Sequence, residues 1–209
     1  MPAIRRLTDS CLLVTTDVGT TLVDPGFHTF DSGEIDLTTI GDVQRILITH
    51  EHPDHVKPEF VQWTVDRGSD VAVHANDAVA ALLAPHGIAV DTGVPGDCAI
   101  QDVLHEPVPS GATPPNRSWT VGDVLTHPGD SHQPTESAAV LALPLIVPWG
   151  SATAAVEFAR RLGPRQVVPV HDFYLTRSGA EWIAGFVGSV LAGDGIELVA
   201  LGWGDSYTI

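Results

Sequence analysis

The sequence predicts an α/β fold in which two groups of short strands form two sheets packed together, with helices outside. Three observations predict it. Hydrophobic residues make up 44% and charged residues 17% of the 209, an ordinary globular balance with room for one sizeable core and little for two. Short apolar runs of strand length fall into two groups along the chain. The last third alternates strand-like and helix-like segments. Residues 1–209 read as one domain, with no internal repeat, linker or low-complexity tract.

Ser10 to Thr16 and Thr20 to Val23, joined by Asp17-Val18-Gly19, have the composition of a β-hairpin, and Asp24-Pro25-Gly26 is a turn that ends it. Arg45 to Ile48 is short, β-branched and apolar, a buried strand. Pro58 to Arg67 reads as a helix, with Pro58 suited to the first turn and Gly68 to the stop. Val71 to His74 is a short strand, after which Asn76 can cap a helix running to about Pro85. Strand-like pieces follow at Ile88 to Val90, Ala99 to His105, Ser118 to Val121 and Asp123 to Thr126, interrupted by a Pro- and Gly-rich loop from Glu106 to Asn116. The alternating last third comprises a strand over Ala138 to Leu145, a helix over Ser151 to Leu162, a strand over Gln166 to Val170, a helix over Ser178 to Leu191 and a strand over Ile196 to Leu201.

Composition also narrows the function classes. The net charge is −16, with Lys57 the one lysine beside nine arginines, so the surface repels phosphate backbones and anionic lipid. Nucleic acid and membrane are poor partners, and a small-molecule substrate is the expectation; a homo-oligomer is compatible with the sequence. No apolar run reaches the roughly 18 to 20 residues that span a bilayer, and the N-terminus carries no signal-peptide pattern, so the expected location is cytoplasmic. Cys11 and Cys98 lack a CxxC spacing and read as free thiols in a reducing compartment.

The chemistry is carried by Thr49-His50-Glu51-His52-Pro53-Asp54-His55, directly behind the strand that ends at Ile48. Neutral imidazoles and a carboxylate are the side chains that hold zinc, manganese or iron. Pro53 keeps the segment out of a regular helix, so a loop at a strand end can turn His50, His52, Asp54 and His55 into one cavity. A merely solvated, histidine-rich loop would not be joined by further ligand types at other strand ends. Here His105 follows Val103-Leu104, Asp130 lies in Thr126-His127-Pro128-Gly129-Asp130-Ser131, and His171 follows Gln166 to Val170. Two cations close together need a shared anion to offset their repulsion, and Asp130 can supply it.

Taken together, Asp24-Pro25-Gly26 after a hairpin, Thr-His-x-His-x-Asp-His at 49–55, Gly129-Asp130-Ser131 and Val168-Pro169-Val170-His171 resemble the metallo-β-lactamase superfamily over nearly the whole chain. Within it the chain is similar to the metal-dependent hydrolases related to ascorbate-phosphate lactonase, through His127-Pro128-Gly129-Asp130, the turn Val147-Pro148-Trp149-Gly150 and a helix ending at Leu162-Gly163-Pro164. The resemblance implies an αββα sandwich, two mixed sheets with helices on their outer faces and the site at one rim. It implies two divalent ions, zinc first and manganese or iron as alternatives. His50, His52 and His105 would hold one, Asp54, His55 and His171 the other, with Asp130 bridging. His127 is the rival of His105 for the third place on the first ion; otherwise it stands behind the ligands or donates a proton. Asp24 would orient a ligand imidazole. His28 and His132 lie near the site by sequence but suit a solvated loop as well, and His74 and His86 read as structural.

The expected reaction is hydrolysis of an ester, lactone or phosphoester, with Asp54 as ligand and proton acceptor and His127 as proton donor to the leaving group. β-Lactam hydrolysis ranks lower because enzymes of that kind generally lack the bridging aspartate. A phosphodiesterase acting on nucleotides or RNA is disfavoured by the charge. A flavodiiron reductase would usually carry Glu where this chain has His52, and would need a further domain. The alternative from another class is a non-catalytic protein that keeps the metal site.

Overall fold

The computed structural model describes residues 1–147 and 149–209; Pro148, in the expected Val147–Gly150 turn, lies outside the described residues. Two six-stranded sheets form its centre. The first is built from β1 (Ala3–Arg6), β2 (Leu12–Thr15), β3 (Thr20–Val23), β4 (Arg45–Leu47), β5 (Ala72–His74) and the last strand, β12 (Ser206–Thr208), in the order β12-β1-β2-β3-β4-β5. The second runs β11-β10-β9-β8-β7-β6, from β6 (Cys98–Leu104), β7 (Pro115–Val121), β8 (Leu125–His127), β9 (Val140–Pro144), β10 (Gln166–Val170) and β11 (Glu197–Leu198). Both are mixed: β3, β4 and β5 are parallel, as are β8 to β11, and the remaining pairs are antiparallel.

Strand periodicity makes the layers. Leu12, Val14, Val23 and Leu47 face the second sheet, where Trp119, Leu125, Val140, Ala142, Val168 and Val170 meet them. Their neighbours Leu13, Leu22, Ile46 and Ile48 point the other way, onto Phe60 and Val61 of α2 (Pro58–Arg67) and Val79 and Leu83 of α3 (Asp77–Leu83), beyond the short α1 (Phe27–Asp31). On the far side Leu141, Leu143 and Val167 pack against Ala155, Phe158 and Ala159 of α4 (Ala152–Leu162) and Val187 and Leu191 of α5 (Arg177–Ala192). The layer order is therefore helix, sheet, sheet, helix, the arrangement the sequence predicts. Burying each of these large aliphatic side chains contributes roughly 1.5–3 kcal/mol, so the three apolar layers dominate the stability.

Some elements differ from the sequence reading. Ala3–Arg6 and Ser206–Thr208 pair with each other as strands, Ala3 opposite Thr208, at a separation no local pattern reveals. Ile88 to Val90 is not a strand; the contact there is a single bridge between Asp91 and His74. The expected loop ends earlier than Asn116, because Pro115 and Asn116 already pair with Leu104 and Val103. Proline is tolerated there as the first residue of a strand. Ile196 to Leu201 shortens to Glu197–Leu198. Cys11 is buried and Cys98 half-buried, each in a different apolar layer. Among the described residues no helix is long and apolar enough to cross a membrane.

Candidate metal centre

The carboxyl ends of β3, β4, β6, β8 and β10 open at one rim of the sandwich, and each is followed by a polar residue of the site: Asp24, Thr49-His50, His105, Asp130 and His171. The loop after β4 is pinned at its base. The Trp119 indole N–H donates to the Ile48 carbonyl at 3.0 Å, and the Arg117 backbone N–H donates to the Thr49 carbonyl at 2.9 Å. The N–H groups of His55 and Val56 both donate to the His52 carbonyl at 2.9 Å, which turns the loop back on itself around Pro53.

Asp24 is fully buried, with a left-handed φ of 50°. Its Oδ1 accepts the Thr49 N–H at 2.8 Å, and its Oδ2 accepts the Thr49 hydroxyl at 2.8 Å and His55 Nδ1–H at 2.7 Å. Gly26 is required next to it because a Cβ there would lie 1.7 Å from the Asp54 carbonyl oxygen. Gly129 has a φ of 62°, and a Cβ on it would strike Asn116 Oδ1 at 2.1 Å. Asn116 in turn accepts the Asp130 N–H at 3.1 Å and donates to the Pro128 carbonyl at 2.8 Å, so it holds the Gly-Asp turn from both sides.

These supports bring seven side chains together in two groups that share one member. His50, His52, His105 and Asp130 offer ligand atoms within 4.8 Å of one another, and so do Asp54, His55, Asp130 and His171. Asp130 divides its oxygens between them: Oδ2 lies 3.1 Å from His105 Nε2, while Oδ1 lies 3.0 Å from His55 Nε2 and 2.6 Å from His171 Nε2. The Trp149 indole N–H also donates to Oδ2 at 3.0 Å.

The outer nitrogens of the imidazoles show what the inner ones can do. His55 Nδ1 is taken by Asp24, His105 Nδ1 by the Glu106 carbonyl, and His50 Nδ1 by the Thr49 hydroxyl at 3.0 Å. The Thr49 hydrogen is already given to Asp24, so the hydroxyl accepts from His50. In neutral rings each Nε2 is then a bare lone pair aimed at Asp130 or at a neighbouring imidazole. His55 Nε2, His171 Nε2 and Asp130 Oδ1 are buried with no hydrogen bond of acceptable geometry. Converging lone pairs and a carboxylate fit a divalent cation.

Without a cation, protons take that place. Burial alone would lower His55 and His171, but Asp130, with Asp24 for the one and Asp9 for the other, outweighs it; His55 is held well above its usual value and His171 at about 9. Burial would raise Asp130, and His171 and His55 instead hold it well below the usual carboxylate range. His50 is pushed well down by burial and by His55, and His52 down by burial and by His105.

His127 does not join either group. It is fully buried, its Nε2 donates to the Ser10 carbonyl at 2.8 Å, and its Nδ1 accepts the Gly129 N–H at 3.2 Å. A proton donor needs a free N–H facing the reacting bond, and both ring nitrogens here are committed to backbone, so the expected leaving-group role is replaced by support of the Gly129 turn. His28 is not a solvated loop residue either: it is 3% exposed, stacked on Phe173, and bonded to Asp9. His132 is half-buried, with its ring stacked on Phe158 and its backbone N–H donating to the Glu106 carboxylate at 3.0 Å. His74 is buried at the end of β5, while His86 is exposed and remote. Three residues of the surroundings escaped the sequence reading: Asn116, Trp149 and Asp9. Asp9 has a left-handed φ of 53° and places Oδ2 3.8 Å from His171 Nδ1. Its sequence signal, Thr8-Asp9-Ser10 before a strand, is an ordinary turn signature.

A cavity of about 310 Å³ lies over the two groups, reaching His52, Asp54, His105, Asp130 and His171, with Val108, Ile146, Val147, Trp149, Tyr174 and Leu175 as its remaining walls beside Asp9. Among the described residues no Lys or Arg lines it.

Comparison with known proteins agrees with this architecture. A model described as "Beta-lactamase superfamily domain" matches residues 3–171. Protein Rv0786c of Mycobacterium tuberculosis is 32% identical over 180 residues, 78% of this chain and 80% of the relative. A solved chain from Parabacteroides distasonis superposes with a TM-score of 0.72 at 24% identity, covering 95% of this chain and 92% of that one. Igni18, a metallo hydrolase of the archaeon Ignicoccus hospitalis, gives 0.70 at 16% identity, covering 100% and 99%.

Proposed function

The chain belongs to the beta-lactamase superfamily, and on that premise we propose that it is a hydrolase dependent on two divalent metal ions, acting on an ester or lactone of a small molecule. The observation that carries the reading is the pair of four-residue groups sharing Asp130 at the floor of a cavity. His50, His52, His105 and Asp130 Oδ2 would hold one ion, and Asp54, His55, His171 and Asp130 Oδ1 the other. Nitrogen-rich sets completed by carboxylates make zinc the first candidate. Divalent ions held there supply Lewis acidity and a water that ionises near neutral pH.

The chain's own residues do the rest. Asp24, Thr49 and the Glu106 carbonyl fix the imidazole tautomers, so that Nε2 faces inward. The Asp54 carboxylate remains partly open to the cavity, where it can take up a proton released during hydrolysis. Trp149 donates to Asp130 and closes the cavity on one side, and the apolar walls exclude water from a bound substrate. Wall chemistry supports the choice among substrates. A phosphodiester brings a charge that a cavity without Lys or Arg does not match, in a chain of net charge −16, whereas a neutral ester or lactone brings none.

Metal-stripped protein titrated with zinc, followed by assay of aryl esters, lactones and bis-aryl phosphates, tests the reading. Two ions per chain and turnover of an ester or lactone are expected. Failure to take up metal would sink it, and full occupancy with no turnover would favour a non-catalytic metal protein of the same fold.

A further inference from the structure

His28 serves none of the steps above, yet it is elaborately held. Its ring is stacked on Phe173, with centroids 3.9 Å apart and planes at 10°, and Phe27 covers another side at 4.0 Å. Its Nδ1 lies 2.9 Å from Asp9 Oδ2, and its Nε2 lies 3.1 Å from the hydroxyl of Tyr174. Asp9 and His28 are buried, whereas Tyr174 is 81% exposed and forms part of the cavity wall over the metal groups. A buried pair thus reaches outward to fix one phenol at the cavity rim.

We propose that Tyr174, tethered through His28 to Asp9, contacts the substrate as a hydrogen-bond acceptor, and so selects esters or lactones that carry a hydroxyl or N–H near the hydrolysed bond. The inference rests on the hydrolase reading and specifies its substrate class. The polarity follows from the order of donors. The Asp9 carboxylate accepts on both oxygens, Oδ1 from the Phe173 N–H at 3.3 Å and Oδ2 from His28. The imidazole hydrogen therefore sits on Nδ1, and Nε2 offers a lone pair. Tyr174 must then donate its single hydrogen to Nε2, which leaves its oxygen lone pairs for the cavity. Among the described residues of the cavity wall, Asp9 is taken up by His28 and the Trp149 N–H by Asp130, which leaves the Tyr174 oxygen to orient a bound substrate's polar tail. A site built to pair a substrate donor rejects the analogue that lacks it.

The test separates this role from simple anchoring of the loop that carries Tyr174. Zinc-loaded protein is titrated calorimetrically with isosteric phosphonate pairs, 2-hydroxyethyl- against propylphosphonate and 3-hydroxypropyl- against butylphosphonate, so that reach is varied as well as chemistry. The native chain should bind the hydroxyl member of one pair about tenfold more tightly, the size of a net hydrogen bond. Tyr174→Phe should abolish that preference with zinc content unchanged, while the melting temperature falls slightly through the lost bond to His28. His28→Phe, which keeps an aromatic ring in the stack, should reduce it. Equal binding of both members by the native chain, or a preference that survives Tyr174→Phe, overturns the proposal while leaving the hydrolase reading intact. Failure to take up zinc overturns both, and zinc uptake with no phosphonate bound overturns the substrate contact alone.

Discussion

Asp24 Oδ2 accepts the Nδ1–H of His55 at 2.7 Å, and neither side chain has any contact with solvent. The same carboxylate takes the hydroxyl and the backbone N–H of Thr49, so one left-handed residue at the end of β3 fixes both the base of the histidine loop and the tautomer of one of its rings. In Asp24→Asn an amide N–H faces His55 Nδ1, and the imidazole hydrogen is driven to Nε2, into the cluster. The affinity of the Asp54–His55–Asp130–His171 group for zinc should fall by roughly ten- to a hundredfold. Competition against a chromogenic chelator measures this, and an unchanged affinity would mean that Asp24 does not set the tautomer.

Asp130 and His52 should separate the two groups. His52 belongs to one and is half-buried, so His52→Ala should leave the other intact and reduce bound zinc from two ions per chain towards one. Asp130 gives an oxygen to each, so Asp130→Ala should empty both and also remove the anion that keeps the buried His55 and His171 rings protonated. Elemental analysis after exhaustive dialysis distinguishes the two variants; equal residual metal would contradict a shared carboxylate.

What was legible follows from where physics acts locally. The histidine loop could be read because its ligands stand behind an apolar strand and cannot continue it, and β9 because Ala138 to Leu145 is apolar on both faces, as a strand between two layers must be. β1 was hidden because two of its four residues are arginines; Arg6 is buried through its pair with Asp172, a partner 166 residues away. The five residues of α1 have no side-chain cap at Gly26 to announce them. His127 misled for a related reason. A histidine beside the Gly-Asp turn has the right sequence neighbourhood, but its orientation is set by Ser10, more than a hundred residues upstream. Asp9 became visible only once His28, Phe173 and His171 surrounded it.

Protons and metal compete for the same interior, which fixes a sign for pH. His171 rises from its ordinary 6.5 to about 9 in the metal-free protein, and His55 moves the same way. A raised folded-state value means that the protonated ring favours folding; this contribution is complete below about pH 6.5 and is lost as pH climbs through about 9. Asp130 is depressed, so its contribution is present at neutral pH and disappears only in strong acid. The metal-free melting temperature should therefore fall between about pH 7 and pH 10, while the zinc-loaded protein, whose rings are held by the ion, should change little. Zinc uptake near neutral pH should release protons, detected as a dependence of the calorimetric enthalpy on buffer ionisation. A level metal-free profile together with no proton release would show that the rings are neutral before metal arrives.

Two glycine substitutions should move stability in opposite directions, for reasons visible in their surroundings. At Gly26 the obstacle is a close approach: the new Cβ would sit 1.7 Å from the carbonyl oxygen of Asp54 and 2.2 Å from its carbonyl carbon. Backbone atoms cannot swing aside as a side-chain end can. Gly26→Ala must push Asp54 and the turn beneath it away from His55, costing on the order of 3 kcal/mol and weakening metal at the Asp54 group. Gly185 lies inside α5 with nothing near its would-be Cβ, so Gly185→Ala gains helix propensity and reduces unfolded-state entropy, worth roughly 0.5–1 kcal/mol of added stability. Urea unfolding of both variants with zinc bound reads the two signs directly. A Gly26→Ala protein as stable and as metal-rich as the native chain would show that the Asp-Pro-Gly turn does not depend on that contact.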